Sequence, residues 1–128
     1  MSEVIELNDT NFNDFVLAED QYVFIDFYSP SCAPCQALLE MLPSLAKHYH
    51  DKPITIAKAD VAQNPLIQNK YQITSVPLVL LIDKSKQVDK AIGGLNSPDV
   101  YINGIDKMLL KKEKKQEGLF ASFKKWFN

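Results

Sequence analysis

The stretch YVFIDFYSPSCAPCQALLEMLPSL, residues 22–45, decides how the chain folds. Its first seven residues, Tyr22 to Tyr28, are β-branched or aromatic except for Asp26. That composition suits a central strand buried on both faces. Ser29, Pro30 and Ser31 then make a turn. Cys32 and Cys35 follow, with Ala33 and Pro34 between them. Pro34 suits the first turn of a helix, where its missing N–H is not needed. Ala37, Leu38, Met41, Leu42, Leu45 and Ala46 recur at helical spacing, which predicts a helix to about Tyr49. Pro43 lies inside it and is expected to kink it. A Cys-x-x-Cys where a strand turns into a helix is a place for thiol–disulfide chemistry. The chain has 2 Cys in all, so no wider disulfide framework surrounds this pair.

Toward the N-terminus, Val4 to Leu7 is a short strand candidate. Asn8, Asp9 and Thr10 are good helix N-caps, and Phe12, Phe15 and Val16 predict a short helix to about Ala18. On the other side, Asp51-Lys52-Pro53 breaks the chain. Ile54 to Ala59 is the next strand, with Lys58 near its end. Asn64-Pro65 opens a short helix carrying Leu66, Ile67 and Tyr71. Ile73 to Val76 leads to Pro77, and Leu78 to Asp83 reads as a strand. After a polar turn, Val88 to Ile92 is a shorter one. Gly93-Gly94 marks a bulge or a close backbone approach. Ser97-Pro98-Asp99 caps a helix carrying Val100, Ile102, Ile105, Met108 and Leu109. The order is β-α-β-α-β-α-β-β-α. The first three strands alternate with helices and are expected to be parallel, and the last two, joined by a short turn, antiparallel. The class is therefore α/β, a mixed central sheet with helices on both faces.

At 128 residues the length predicts one domain, and a 46% hydrophobic fraction is enough for a core that needs no staples. The formal net charge of −2 argues against nucleic-acid binding. The charge is uneven. Up to residue 106 there are 7 Lys against 14 Asp and Glu, and from residue 107 there are 7 Lys against 2 Glu. All the cations are Lys, so the bidentate Arg grip on phosphate is absent. MSEVIELNDT has no basic start and no apolar run, and no stretch has 18 consecutive apolar residues. The expected compartment is the cytoplasm, where thiols stay reduced.

In such a compartment the pair is expected to be reactive. Cys32 at the N-terminus of the long helix would have its thiolate favoured by unpaired N–H groups and the helix dipole. Cys32 would attack a substrate disulfide and Cys35 would resolve the mixed disulfide. Asp26, costly to bury without a reason, is a candidate to take the Cys35 proton, with a pKa raised by burial. It could instead be a strand-end residue facing water. Three other readings of the cysteines compete: a structural disulfide, inert core thiols, or half a zinc site completed by His48 and His50. Structural zinc needs four ligands, and these two histidines lie at the far end of the same helix. No metal or other cofactor is expected.

These motifs together resemble the thioredoxin family, over about residues 4 to 110. Cys-x-x-Cys within a βαβ pattern is that family's own sequence mark. The resemblance implies a buried acid at Asp26 followed by Phe27, a nucleophile at Cys32, a resolving thiol at Cys35 and a Pro of the active-site turn at Pro34. It also implies a Lys near the acid at Lys58, a cis bond at Val76-Pro77 beside the cysteines, and a substrate-approach glycine at Gly93. A cis X-Pro bond there would hold the Val76 backbone toward Cys32 for pairing with an extended substrate. The activity implied is protein-disulfide reduction, with protein disulfides as substrates and a flavoprotein thioredoxin reductase as electron donor. The sequence departs from the family at Ser31 and Tyr28, where Trp is usual, and at Ala33, where Gly is usual. Pro43 also falls about three residues later than the family's helix proline. Altered partner choice is the expected consequence.

Residues 1–110 form the expected domain, and residues 111–128 an added segment. Leu119, Phe120, Phe123, Trp126 and Phe127 make an apolar stripe, with Ser122, Lys124 and Lys125 opposite. Residues 119–127 are expected to contact the chain's own domain, a second copy, a membrane surface or a partner protein. A second reading of the whole follows, a thioredoxin-fold interaction module acting through this tail.

Overall fold

The computed structural model describes residues 3–17 and 20–111. Five strands form one sheet: β1 (Val4–Glu6), β2 (Tyr22–Tyr28), β3 (Ile54–Asp60), β4 (Leu78–Ile82) and β5 (Val88–Gly93). Their spatial order is β1-β3-β2-β4-β5. The helices are α1 (Ala33–His48), α2 (Pro65–Lys70) and α3, which covers residues 98–111. β1, β3 and β2 pair in parallel, as strands joined through helices should. β4 is antiparallel to both β2 and β5. The expected α/β mixed sheet is the fold observed.

β2 shows why the stretch around it decides the fold. It is the middle strand, and six of its seven residues are buried. Alternation sends Tyr22 and Phe24 to one face, where they pack with Leu38, Leu42 and Leu45 of α1 and Tyr101, Ile105 and Met108 of α3. Val23, Ile25 and Phe27 go to the other face, against Phe12, Val16 and Ile67. Helices therefore cover both faces. Burying Phe24 completely is worth about 1.5–3 kcal/mol. Its edge-to-face contact with Tyr101, at 6.0 Å and 77°, adds about 1 kcal/mol. Gly104 lets α3 lie close on the sheet, since a Cβ there would meet Leu81 Cδ1 at 3.0 Å.

Several local expectations need correction. The short N-terminal helix is a turn of π-helix at Asn13–Leu17, and the residue that turns the chain into it is Asn8. Asn8 Oδ1 accepts from the N–H groups of Thr10 and Asn11 at 2.9 and 2.8 Å. Leu66 and Val100 are exposed, while Tyr101 is the buried aromatic of α3. α1 continues through Pro43, which lies on its exposed side.

Asp9 does not cap its own turn. Its carboxylate reaches across to α2 and accepts from the N–H groups of Leu66 and Ile67, at 3.2 and 3.0 Å. Asn64, at the cap position of α2, makes no side-chain cap bond. It accepts from the Asp9 N–H instead, at 3.0 Å. Asp9→Ala removes a charge-assisted cap and is expected to lower stability by about 1 kcal/mol, read by urea unfolding at pH 7.

Candidate active site

β2 and α1 position the two cysteines. The chain leaves β2 at Tyr28, and the Cys32 N–H donates to the Ser29 carbonyl at 3.1 Å. Cys32 is the N-cap of α1 in an extended conformation, and its sulfur accepts from the Cys35 N–H at 3.3 Å. Pro34 sits in the first turn, where it leaves no N–H unpaired, and it faces solvent. One helical turn brings the two Cα atoms to 5.2 Å, and the sulfurs are joined in a disulfide. Cys32 is partly exposed. Cys35 is fully buried, on the same stripe of α1 as Leu38 and Leu42. His48 stands at the other end of the 16-residue helix, about 24 Å away by helical rise, so the histidines cannot complete a metal site with this pair.

The Val76-Pro77 bond is cis, as the resemblance implies. The Val76 carbonyl oxygen lies 3.8 Å from the Cys32 sulfur. The loop is fixed from behind: the Gly94 N–H donates to the Pro77 carbonyl at 2.9 Å, with Gly94 at φ +77. The buried Tyr101 hydroxyl in turn donates to the Gly94 carbonyl at 3.2 Å. Gly93 pairs with Leu78 and is exposed, and a Cβ there would meet nothing within 4 Å. No packing within the protein requires a glycine at that position.

Asp26 is not a strand-end residue facing water. It is completely buried on the α1 face of the sheet, and neither carboxylate oxygen has a hydrogen-bond partner among the described residues. Burial raises its pKa from 3.8 to about 7, against the lowering pull of the Lys58 charge. Lys58 is its register partner on β3. The Lys58 ammonium, however, pairs with Glu6, at 3.8 Å from Oε1. No local signal in the sequence marks Glu6. Its place beside Lys58 depends on β1 pairing with β3 in this register, which local patterning does not set. Tyr28 lies next to it, its hydroxyl 3.0 and 3.1 Å from the two Glu6 oxygens. Burial, followed by the Glu6 contact, holds the Tyr28 phenol well above its usual range.

The structure thus gathers Cys32, Cys35, Asp26, Lys58, Val76 and Pro77 around one end of the sheet. A thioredoxin family model matches residues 3–107. The chain belongs to the thioredoxin family. It is 40% identical over 90 residues to the thioredoxin of Chlorobaculum thiosulfatiphilum, covering 70% of this chain and 82% of that one. It is 35% identical over 95 residues to that of Griffithsia pacifica, covering 74% and 84%. A third relative, the thioredoxin of Haemophilus influenzae, is 33% identical over 95 residues, covering 74% and 88%. With its paired cysteines, this thioredoxin-family protein is a protein thiol–disulfide oxidoreductase whose substrates are protein disulfides. The interaction-module reading is not favoured. Residues 112–128, with the amphipathic stripe expected at 119–127, lie outside the described residues. Among the described residues no helix is long and apolar enough to cross a membrane.

Proposed function

We propose that the protein works as a reductant, with Cys32 attacking a substrate disulfide and Cys35 resolving it. The observation that carries this reading is the contrast in access. Cys32 is partly open and 3.8 Å from the Val76 carbonyl, while Cys35 is sealed beneath it. The Cys35 N–H aimed at the Cys32 sulfur stabilises negative charge there. The Cys32 thiolate forms a bond to one substrate sulfur, and the other substrate sulfur leaves as a thiolate. Asp26 then accepts the Cys35 proton, and the Cys35 thiolate attacks Cys32. The mixed disulfide breaks, the second substrate sulfur leaves, and the Cys32–Cys35 disulfide remains. The two leaving thiolates take their protons from Asp26 and solvent.

In the same reading Lys58 moderates the charge on Asp26. Val76 offers backbone to an extended substrate segment beside cis-Pro77, and Gly93 and Pro34 leave its flanks open. A flavoprotein reductase re-reduces the pair, and the cytoplasm is the compartment. Residues 119–127 supply a contact to a membrane surface, to the chain itself or to a partner, outside the exchange chemistry. Mixing the reduced protein with excess insulin tests the core of this reading. Two substrate thiols should appear for each Cys32–Cys35 disulfide formed. Thiols released without that disulfide, or none released, would sink it.

A further inference from the structure

A row of polar side chains crosses three strands on the α1 face of the sheet. Glu6, Lys58 and Asp26 are register partners on β1, β3 and β2, and Tyr28 and Asp60 form the next pair on β2 and β3. The row runs from solvent to core. The side chains of Glu6 and Lys58 are 49% and 34% exposed, and Asp26 is sealed. Lys58 therefore has a carboxylate on each side, and its ammonium goes to the outer one. A compact, strongly hydrated ammonium favours that choice, because pairing with Asp26 would cost it water. Tyr28 adds to the bias. Its hydroxyl lies within hydrogen-bond reach of both Glu6 oxygens and pins that carboxylate beside Lys58.

We propose that Glu6 is a positioning residue for the exchange reaction: oriented by Tyr28, it holds the Lys58 ammonium toward the sheet rim and out of a contact pair with the Asp26 carboxyl. This rests on the reading that Asp26 accepts the Cys35 proton. The titratable groups that share the α1 face of the sheet beside Asp26 are Lys58 and Asp60 on β3, Glu6 on β1 and Tyr28 on its own strand. Lys58 is the one cation among them, so its position sets the balance. Held at Glu6, it leaves Asp26 a good proton acceptor. Released from Glu6, it turns inward and makes Asp26 a weaker base.

The test follows the Asp26 side-chain carboxyl by ¹³C NMR across pH in the oxidised, full-length protein. Glu6→Gln should lower the titration midpoint by about one pH unit, a tenfold loss of proton affinity. Tyr28→Phe keeps the Glu6 charge and should lower it by less. In a Lys58→Met background, Glu6→Gln should leave the midpoint in place, because Glu6 acts through Lys58. The proposal is overturned if Glu6→Gln does not move the midpoint, or moves it equally with and without Lys58. The pH profile of insulin reduction separates this from the reading beneath it. If the midpoint moves and the profile does not, the Glu6–Lys58 arrangement stands and the proton role of Asp26 falls.

Discussion

Cys32→Ser is expected to lower the rate of insulin-disulfide reduction by about 10³-fold or more, to the rate without protein. A Ser hydroxyl at this position still meets the Cys35 N–H that now points at the sulfur. What it lacks is a nucleophile ionised near neutral pH. Cys35 cannot take over, because it is fully buried under the first turn of α1. The loss should therefore appear without any loss of fold, which near-unchanged urea unfolding of the reduced proteins would check. Residual activity within tenfold of wild type would mean that another group starts the reaction.

The second large effect concerns stability. Asp26 ionises near pH 3.8 in an unfolded chain and near pH 7 in the fold. Between these values the unfolded state has given up a proton that the folded state keeps. Stability therefore falls as pH rises from about 4 to 7, and the full cost is present above 7. Three pH units correspond to about 4 kcal/mol. Asp26→Asn removes the charge and keeps the shape. It is expected to stabilise the protein by up to about 4 kcal/mol at pH 8 and by almost nothing at pH 4, read by urea unfolding at the two pH values. The same variant should lose the inflection near pH 7 in its exchange rate. A gain in stability coupled to a loss in function is what a carboxyl kept buried for proton transfer predicts. Equal stabilisation at both pH values would show that ionisation of Asp26 is not what costs the fold.

Much of this was legible in the sequence, for identifiable reasons. Tyr22 to Tyr28 read as a doubly buried strand because six apolar or aromatic residues leave it no solvent face. The Cys-x-x-Cys, Pro34 and the helical stripe after it are local signals, and each sits where its spacing places it. The cis bond at Val76-Pro77 came through family resemblance. Residue chemistry alone marks Pro77 only as a proline at the start of a strand. The misses share a cause. Leu66 and Val100 are apolar at plausible helical positions, yet tertiary packing turned α2 and α3 so that Ile67 and Tyr101 face the core. Asp9 looked like a cap for the helix beside it, but it caps α2 across 57 residues of sequence. Family resemblance, not local pattern, points to Lys58 as a neighbour of Asp26, its register partner, and its pairing with Glu6 is invisible in the sequence because strand register is a long-range property.

In the proposed mechanism, exchange passes through a covalent bond at Cys32 that Cys35 then breaks. Cys35→Ser isolates that step. The reduced variant, incubated with insulin, should accumulate a mixed disulfide of one protein with one insulin chain. Intact mass spectrometry would show it, peptide mapping would place it on Cys32, and dithiothreitol would release it. No adduct with Cys35→Ser, or an equal adduct with Cys32→Ser, would rule that mechanism out.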